Sequence, residues 1–293
     1  MGQITAKLKK RLKDFNQKKI ISVSQILDGK RIAKEASQTI SSFEALMGKG
    51  YDPVHAMYVN TQNLLSFFAE QISAFTELKS FCTRAAKAED IYLPSGPPLS
   101  PLTNSYYSLW LLCDLVFGPD RETIIDCFLG VGPGMNVTEM HLKAAFSLKE
   151  SRMGIYEHMG TDKKTITLKE LLTEKTYRCI CPSGYEGRKG ELWYVRLVPD
   201  PLHTVDYFII FTTPYVIYGH AIKEWEAYFA RNDIDATQVG YKSRLDKLMK
   251  YGPSIHYWHE YVFLSYSKHS SDVIYLTGIP DCKATLPHAE HYA

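Results

Sequence analysis

The residues in this chain whose spacing best suits chemistry are His256, His259 and Glu260. A three-residue step puts both imidazoles on one face of a helix, where His256 and His259 could share a metal ion. Zinc needs a further ligand, and the sequence offers none at a metal-site spacing. The order HxxHE also differs from the HExxH of zinc proteases. Tyr257, Trp258 and Tyr261 make aromatic packing the competing role. A second set lies in the loop Ser183-Gly184-Tyr185-Glu186-Gly187-Arg188-Lys189-Gly190. Tyr185, Arg188 and Lys189 combine a stacking ring with two cations, and the glycines let backbone approach a ligand. The competing role is an ordinary mobile hairpin loop. Arg196, in the strand beyond, joins the ligand-binding candidates. A buried arginine here, Arg196 or Arg152, paired with Glu157 or Glu191, would instead be structural.

Other reactive types lack a pattern. Cysteines stand at 82, 113, 127, 179, 181 and 282. Cys179-x-Cys181 alternates across a strand and is neither a CxxC redox pair nor a zinc knuckle. Cys82, Cys113 and Cys127 sit in apolar helical surroundings, and all six are expected reduced. There is no GxSxG elbow. Strand alternation sends Glu157 away from Tyr156 and His158. Asp114, Asp120, Glu122 and Asp126 gather on two short helices, where Asp120 and Glu122 read as first-turn charges favouring the helix dipole. Gly130-Val131-Gly132-Pro133-Gly134 lacks the Gly-Lys-Ser/Thr ending of a phosphate loop and joins two helices. No cofactor is implied.

The elements that would position these groups fall into three stretches. Residues 1–150 form a helical region. Ile4, Leu8, Leu12 and Phe15 make one apolar stripe on a helix over 3–19. A second helix is expected over 30–47. Asp52-Pro53 then caps and starts a long helix that reaches towards Ala88, with a break near Thr76. Leu93 to Pro98 is a loop, Ser100-Pro101 restarts a helix ending at Gly118, and a shorter helix covers 120–128. Asn136 and Glu139 form a capping box for a helix to Lys149. Residues 151–219 form a β module, with strands at 153–159, 165–168, 177–181, 192–198, 206–211 and 215–218, expected as a small antiparallel sheet or barrel. Residues 220–293 form a helical C-terminal region packing on the same unit, with helices around Trp225, over 238–251 and over 255–266. A last strand is expected at 273–276, then a tail from 278 holding the solvated His288 and His291. The fold class is α+β.

Composition is that of a globular chain: 45% hydrophobic and 23% charged over 293 residues. The charge is uneven. Residues 1–20 carry seven cations (Lys7, Lys9, Lys10, Arg11, Lys13, Lys18 and Lys19) against Asp14, a net +6, which leaves −4 for the remaining 273 residues. The body is therefore not generically basic and gives no whole-domain argument for nucleic acid; any polyanion contact would come from a local patch or from the N-terminus, through Lys9, Lys10 and Lys13, which point away from the apolar stripe. The twenty tyrosines suggest rings packed with their hydroxyls left wet, or an aromatic binding surface. The apolar run Tyr106–Phe117 is too short for a membrane span, no signal-peptide pattern opens the chain, and Ala6 stands where a myristoylation start wants Ser or Thr. A cytoplasmic protein is expected.

Gly190-Glu191-Leu192-Trp193-Tyr194-Val195-Arg196-Leu197-Val198-Pro199, with Tyr156-Glu157 and Leu168-Lys169-Glu170-Leu171-Leu172 upstream, resembles a pattern in uncharacterised bacterial proteins, some of which carry a zinc-binding SEC-C tail. The resemblance covers residues 150–220. It implies a small β-barrel and a bacterial or phage origin, and no activity. The SEC-C cysteine cluster is absent, so no metal role carries over. The function expected is a non-catalytic binding or interaction protein with a protein or nucleic-acid partner. The alternative is a metal- or cysteine-dependent hydrolase whose site assembles only in three dimensions.

Overall fold

A computed structural model describes residues 1–17, 43–93 and 100–289. The expected helix over residues 30–42, most of the loop 93–98, Lys18, Lys19 and His291 lie outside the described residues, as does the side chain of Phe15. The chain divides into two compact units, residues 1–86 with 108–150 and residues 87–107 with 151–293.

The first unit is helical. Its elements are α1 (Gln3–Gln17), α2 (Phe43–Gly48), α3 (Pro53–Ser73) and the first half of α4 (Lys79–Tyr92), then α6 (Ile124–Val131) and α7 (Glu139–Glu150). Asp52 caps α3 by accepting from the Val54 and His55 amides. The expected break falls at Ala74–Phe75, followed by a 3-10 turn at Thr76–Leu78. Leu65, Phe68 and Phe128 form the core, with the Phe68 and Phe128 rings edge to face at 5.5 Å. Some boundaries differ from expectation; the helix expected from Ser100 to Gly118 covers Asn104–Asp114. The helix expected over 120–128 starts at Ile124, because Thr123 and Asp126 form the capping box there. The later box is shifted too: Asn136 is left-handed (φ 57°), and Thr138 takes over by accepting from the His141 amide.

Asp120 and Glu122 then serve a helix distant in sequence. Glu122 is buried and accepts from the Ile4 amide (2.8 Å), the Thr5 amide (3.0 Å) and the Thr5 hydroxyl, while Asp120 accepts from the Gln3 amide (2.8 Å). They satisfy the orphan donors at the start of α1, and their charge favours the positive end of its dipole. The glycine-rich segment is the bed beneath that helix. A Cβ on Gly130 would stand 2.1 Å from Thr5 Cγ2, and one on Gly134 would stand 3.2 Å from Leu12 Cδ2. Ile4 and Leu8 are buried, and a Cβ on Gly118 would stand 2.5 Å from Ile4 Cδ1.

The second unit contains all the strands of the described residues: β1 (Met153–Asp162), β2 (Thr165–Glu170), β3 (Thr176–Ile180), β4 (Leu192–Pro199), β5 (Phe208–Ile210), β6 (Tyr215–Tyr218), β7 (Tyr266–His269) and β8 (Ile274–Thr277). The first five close into a barrel in the order β1-β2-β3-β5-β4, with β4 returning to β1. β1 pairs with β4 through Met153–Glu157 on one edge and with β2 through Tyr156–Asp162 on the other, and a bulge between His158 and Gly160 bends it. Period-two alternation fills the interior with Tyr156, Ile166, Leu168, Cys179, Trp193, Val195, Leu197 and Ile210. The sheet then runs on from β4 through β6 and β8 to β7. It is not purely antiparallel: β3–β5 and β6–β8 are parallel pairs. β7 was not expected from the sequence.

Helices α5 (Asn104–Leu109), α8 (Ile222–Arg231), α9 (Tyr241–Tyr251) and α10 (Tyr257–Ser265) complete the architecture, with α5 running on into a π-helical turn at Trp110–Asp114. Tyr194, on the outer face of β4, packs against Trp258 (5.2 Å) and Tyr261 (6.4 Å) of α10. Many tyrosine hydroxyls are buried and paired, not wet. Tyr228 meets Tyr257 at 2.9 Å, Tyr215 donates to the Pro101 carbonyl and Tyr261 to that of Gly278. Residues 278–289 are not a tail. Ile279 and Leu286 are buried, Asp281 takes a bidentate bond from Arg231, and the His288 amide donates to the Leu264 carbonyl.

Candidate functional site

The strongest candidate is a cleft of about 850 Å³ between the β3–β4 loop, β6 and the β7–β8 hairpin. Of the four ligand-binding candidates from the sequence, Tyr185, Arg188 and Lys189 line the cleft. Arg196 does not. It is 1% exposed and lies on the face of β4 opposite Trp193 and Val195, because residues one apart on a strand point to opposite sides. The expected arginine pairings also move. Arg152 bridges Glu170 (2.9 Å) and Asp246 (2.6 Å), and Glu157 pairs with Lys169 at 3.4 Å.

The loop is held, not loose. The His158 amide donates to the Glu191 carbonyl, and the Gly190 amide donates back to the His158 carbonyl. The His158 Nε2–H donates to the Glu186 carbonyl at 2.9 Å. Gly187 has φ +67°, and a Cβ there would lie 2.3 Å from Trp193 Cζ2, so no other residue fits without displacing the ring. Glu191, half-buried, lines the cleft and accepts from the Tyr185 hydroxyl (3.1 Å) and from Trp193 Nε1 (3.1 Å). Burial, with Tyr275 and the Glu191 carboxylate beside it, pushes the Tyr185 phenol up, so it stays protonated and donates.

β6, β7 and β8 supply residues that the sequence did not single out. Tyr218, Ser267, Lys268 and Tyr275 join the lining, with His220 from the turn after β6. The Lys268 ammonium lies 5.2 Å from the centre of the Tyr275 ring. The Tyr218 hydroxyl meets Ser267 Oγ at 2.6 Å, and its ring stands edge to face with Tyr275 at 6.4 Å. Three cations therefore face one carboxylate. Among the described residues Arg188, Lys189 and Lys268 form no ion pair. Arg178 elsewhere on the barrel pairs with Asp206.

The histidine pair sits apart in an aromatic nest. His259 is buried, ringed by Tyr92 (5.1 Å), Tyr106 (5.5 Å) and Tyr107 (6.4 Å), with His256 at 5.9 Å. Burial, reinforced by His256, pushes its pKa down to about 3, so its imidazole is neutral. Among the described residues no three His, Cys, Asp or Glu side chains gather as metal ligands. The thiols with a clear shift are all raised by burial, Cys127 to about 12 and Cys179 and Cys181 also upward, which removes the thiolate a nucleophile needs.

On α1, Lys9, Lys10 and Lys13 are exposed, and Arg11 pairs with Glu77 at 3.0 Å. Ile4 and Leu8 are already covered by the protein's own first unit and are not free to dock elsewhere. Comparisons of the chain with family models, curated proteins and solved structures found no match.

Proposed function

We propose that this protein is a non-catalytic binding protein whose β module presents the cleft to an anionic surface of a protein or nucleic-acid partner. The observation that carries this reading is the set of cations, Arg188, Lys189 and Lys268, without ion pairs around one pre-formed concave surface. Cations left unpaired in a cleft raise the local concentration of anions and reward their binding. Lys9, Lys10 and Lys13 form a second, exposed basic surface that adds long-range attraction. The small barrel in residues 153–210 gives the cleft a firm wall. A cytoplasmic setting is supported by six free cysteines. Among the described residues no helix is long and apolar enough to cross a membrane.

A hydrolase that used Cys127, Cys179 or Cys181 as nucleophile is disfavoured by their burial, and one that used His259 by its aromatic surroundings. Retention on a heparin column tests the proposal with a generic polyanion. The full chain should elute at higher salt than a variant carrying Arg188→Glu, Lys189→Glu and Lys268→Glu. Identical elution of the two folded proteins would remove the cleft from the reading. Metal analysis separates the alternative: a stoichiometric transition metal lost on His259→Ala would favour the hydrolase.

A further inference from the structure

We infer that the cleft takes one nucleotide unit, with the base on Tyr218 and against Glu191 and the phosphate among Arg188, Lys189 and Lys268. This rests on the proposed reading of the cleft as the recognition surface and names its ligand. Tyr218 is 44% exposed, yet its hydroxyl is fixed by Ser267 and its ring stands in a T-shaped contact with Tyr275, so it offers a held, partly open ring. Such a ring rewards stacking of a planar base at little entropic cost. Tyr275 is already covered by the Lys268 ammonium. The volume of about 850 Å³ lies in the range that takes a nucleotide-sized ligand.

The placement of charge distinguishes a nucleotide from an acidic peptide. The side chains of an acidic peptide bring only anions, and one lying against Glu191 would meet a like charge, with only backbone N–H groups left to offset it. A nucleotide brings an anion for the cations and, in cytosine, adenine or guanine, an amine that donates to a carboxylate. Carboxylate recognition of the cytosine N4 amine is an established contact chemistry. Uracil presents a carbonyl oxygen at that position and would face Glu191 with like polarity. The same unit could arrive as a free mononucleotide or within a single strand. Tyr218 and the cations suit either.

The test is calorimetric titration of the full chain with CMP, UMP and an octamer of cytidylate. CMP should bind about 10-fold more tightly than UMP. Tyr218→Ala and Lys268→Ala should each weaken CMP binding several-fold, Tyr218→Phe should retain most of it, and Glu191→Gln should erase the preference for CMP. An octamer at least 10-fold tighter than CMP identifies a strand as the source, and an octamer no tighter identifies the free nucleotide. Both outcomes uphold the assignment. It is overturned if neither CMP nor the octamer binds at millimolar concentration, or if CMP and UMP bind equally. Insensitivity to Tyr218→Ala overturns it as well. Heparin retention that still depends on the three cations, without nucleotide binding, would overturn the nucleotide and leave the cleft as a polyanion site.

Discussion

Replacing His259 with phenylalanine should make the second unit less sensitive to acid. The native imidazole is buried among Tyr92, Tyr106 and Tyr107 and beside His256. Its pKa falls from an ordinary value of 6.5 to about 3, chiefly through burial. The folded-state value is depressed, so the associated stability is fully present above the unfolded value. It is lost as pH falls, until about pH 3, where folded and unfolded chains bind the same proton. Between pH 7 and pH 5 that loss comes to about 2 kcal/mol. His55, His141 and His256 are also lowered by burial, but they remain in both proteins and largely cancel in the difference. Urea unfolding followed by tryptophan fluorescence suits the measurement, since Trp193, Trp225 and Trp258 lie in the same unit. The stability gap between wild type and His259→Phe should shift by about 2 kcal/mol over that pH range. Parallel pH profiles would refute the reasoning. So would an NMR titration of the native protein that finds the His259 imidazole protonating near its ordinary value, a result independent of how well the variant folds.

Glu122→Ala should release the start of α1, leaving two backbone donors and the Thr5 hydroxyl without their acceptor, at a cost of about 2–4 kcal/mol. Faster amide exchange in residues 3–8 checks it, and unchanged exchange would show that the carboxylate is not the cap. Gly187→Ala should lower stability by at least about 1 kcal/mol, since it places a side chain at φ +67° against Trp193. A thermal midpoint equal to wild type would count against that. Denatured protein without reductant should show six free thiols. In native protein Cys282, which is exposed, should react first and the buried Cys127 and Cys179 last. A fast native Cys127 would contradict its raised pKa. Lys9→Glu, Lys10→Glu and Lys13→Glu together should lower heparin retention without changing the preference for CMP over UMP. A change in that preference would place α1 in the nucleotide site.

The switch from helical to alternating periodicity at Met153 was legible because a barrel wall imposes period two on every strand. Tyr156, Leu168, Cys179, Trp193 and Val195 all fall on its inner face. The loop candidates Tyr185, Arg188 and Lys189 were legible from glycine spacing beside cations. Tyr218, Lys268 and Tyr275 were not, since β8 adds in parallel beside β6 across more than fifty residues and no local signal announces that pairing. β7 escaped notice because its sequence, Tyr266-Ser267-Lys268-His269, is polar and its residues are mostly exposed. Arg196 was misassigned because charge suggested a ligand, whereas register decides which side of β4 it occupies. Asp120 and Glu122 were placed at a helix N-terminus for the right electrostatic reason but on the wrong helix. A cap reaching 117 or 118 residues along the chain has no sequence spacing to betray it.

Hydrogen–deuterium exchange of the full chain with and without a heparin octasaccharide addresses the cleft most directly. Segments 185–191, 216–220 and 267–275 should gain protection, because the ligand covers the residues that line the cleft. The three-cation variant should lose that protection while keeping its unliganded exchange pattern. Protection confined to residues 3–17, or none at all with the octasaccharide in excess, would contradict the cleft as the surface by which this protein recognises its partner.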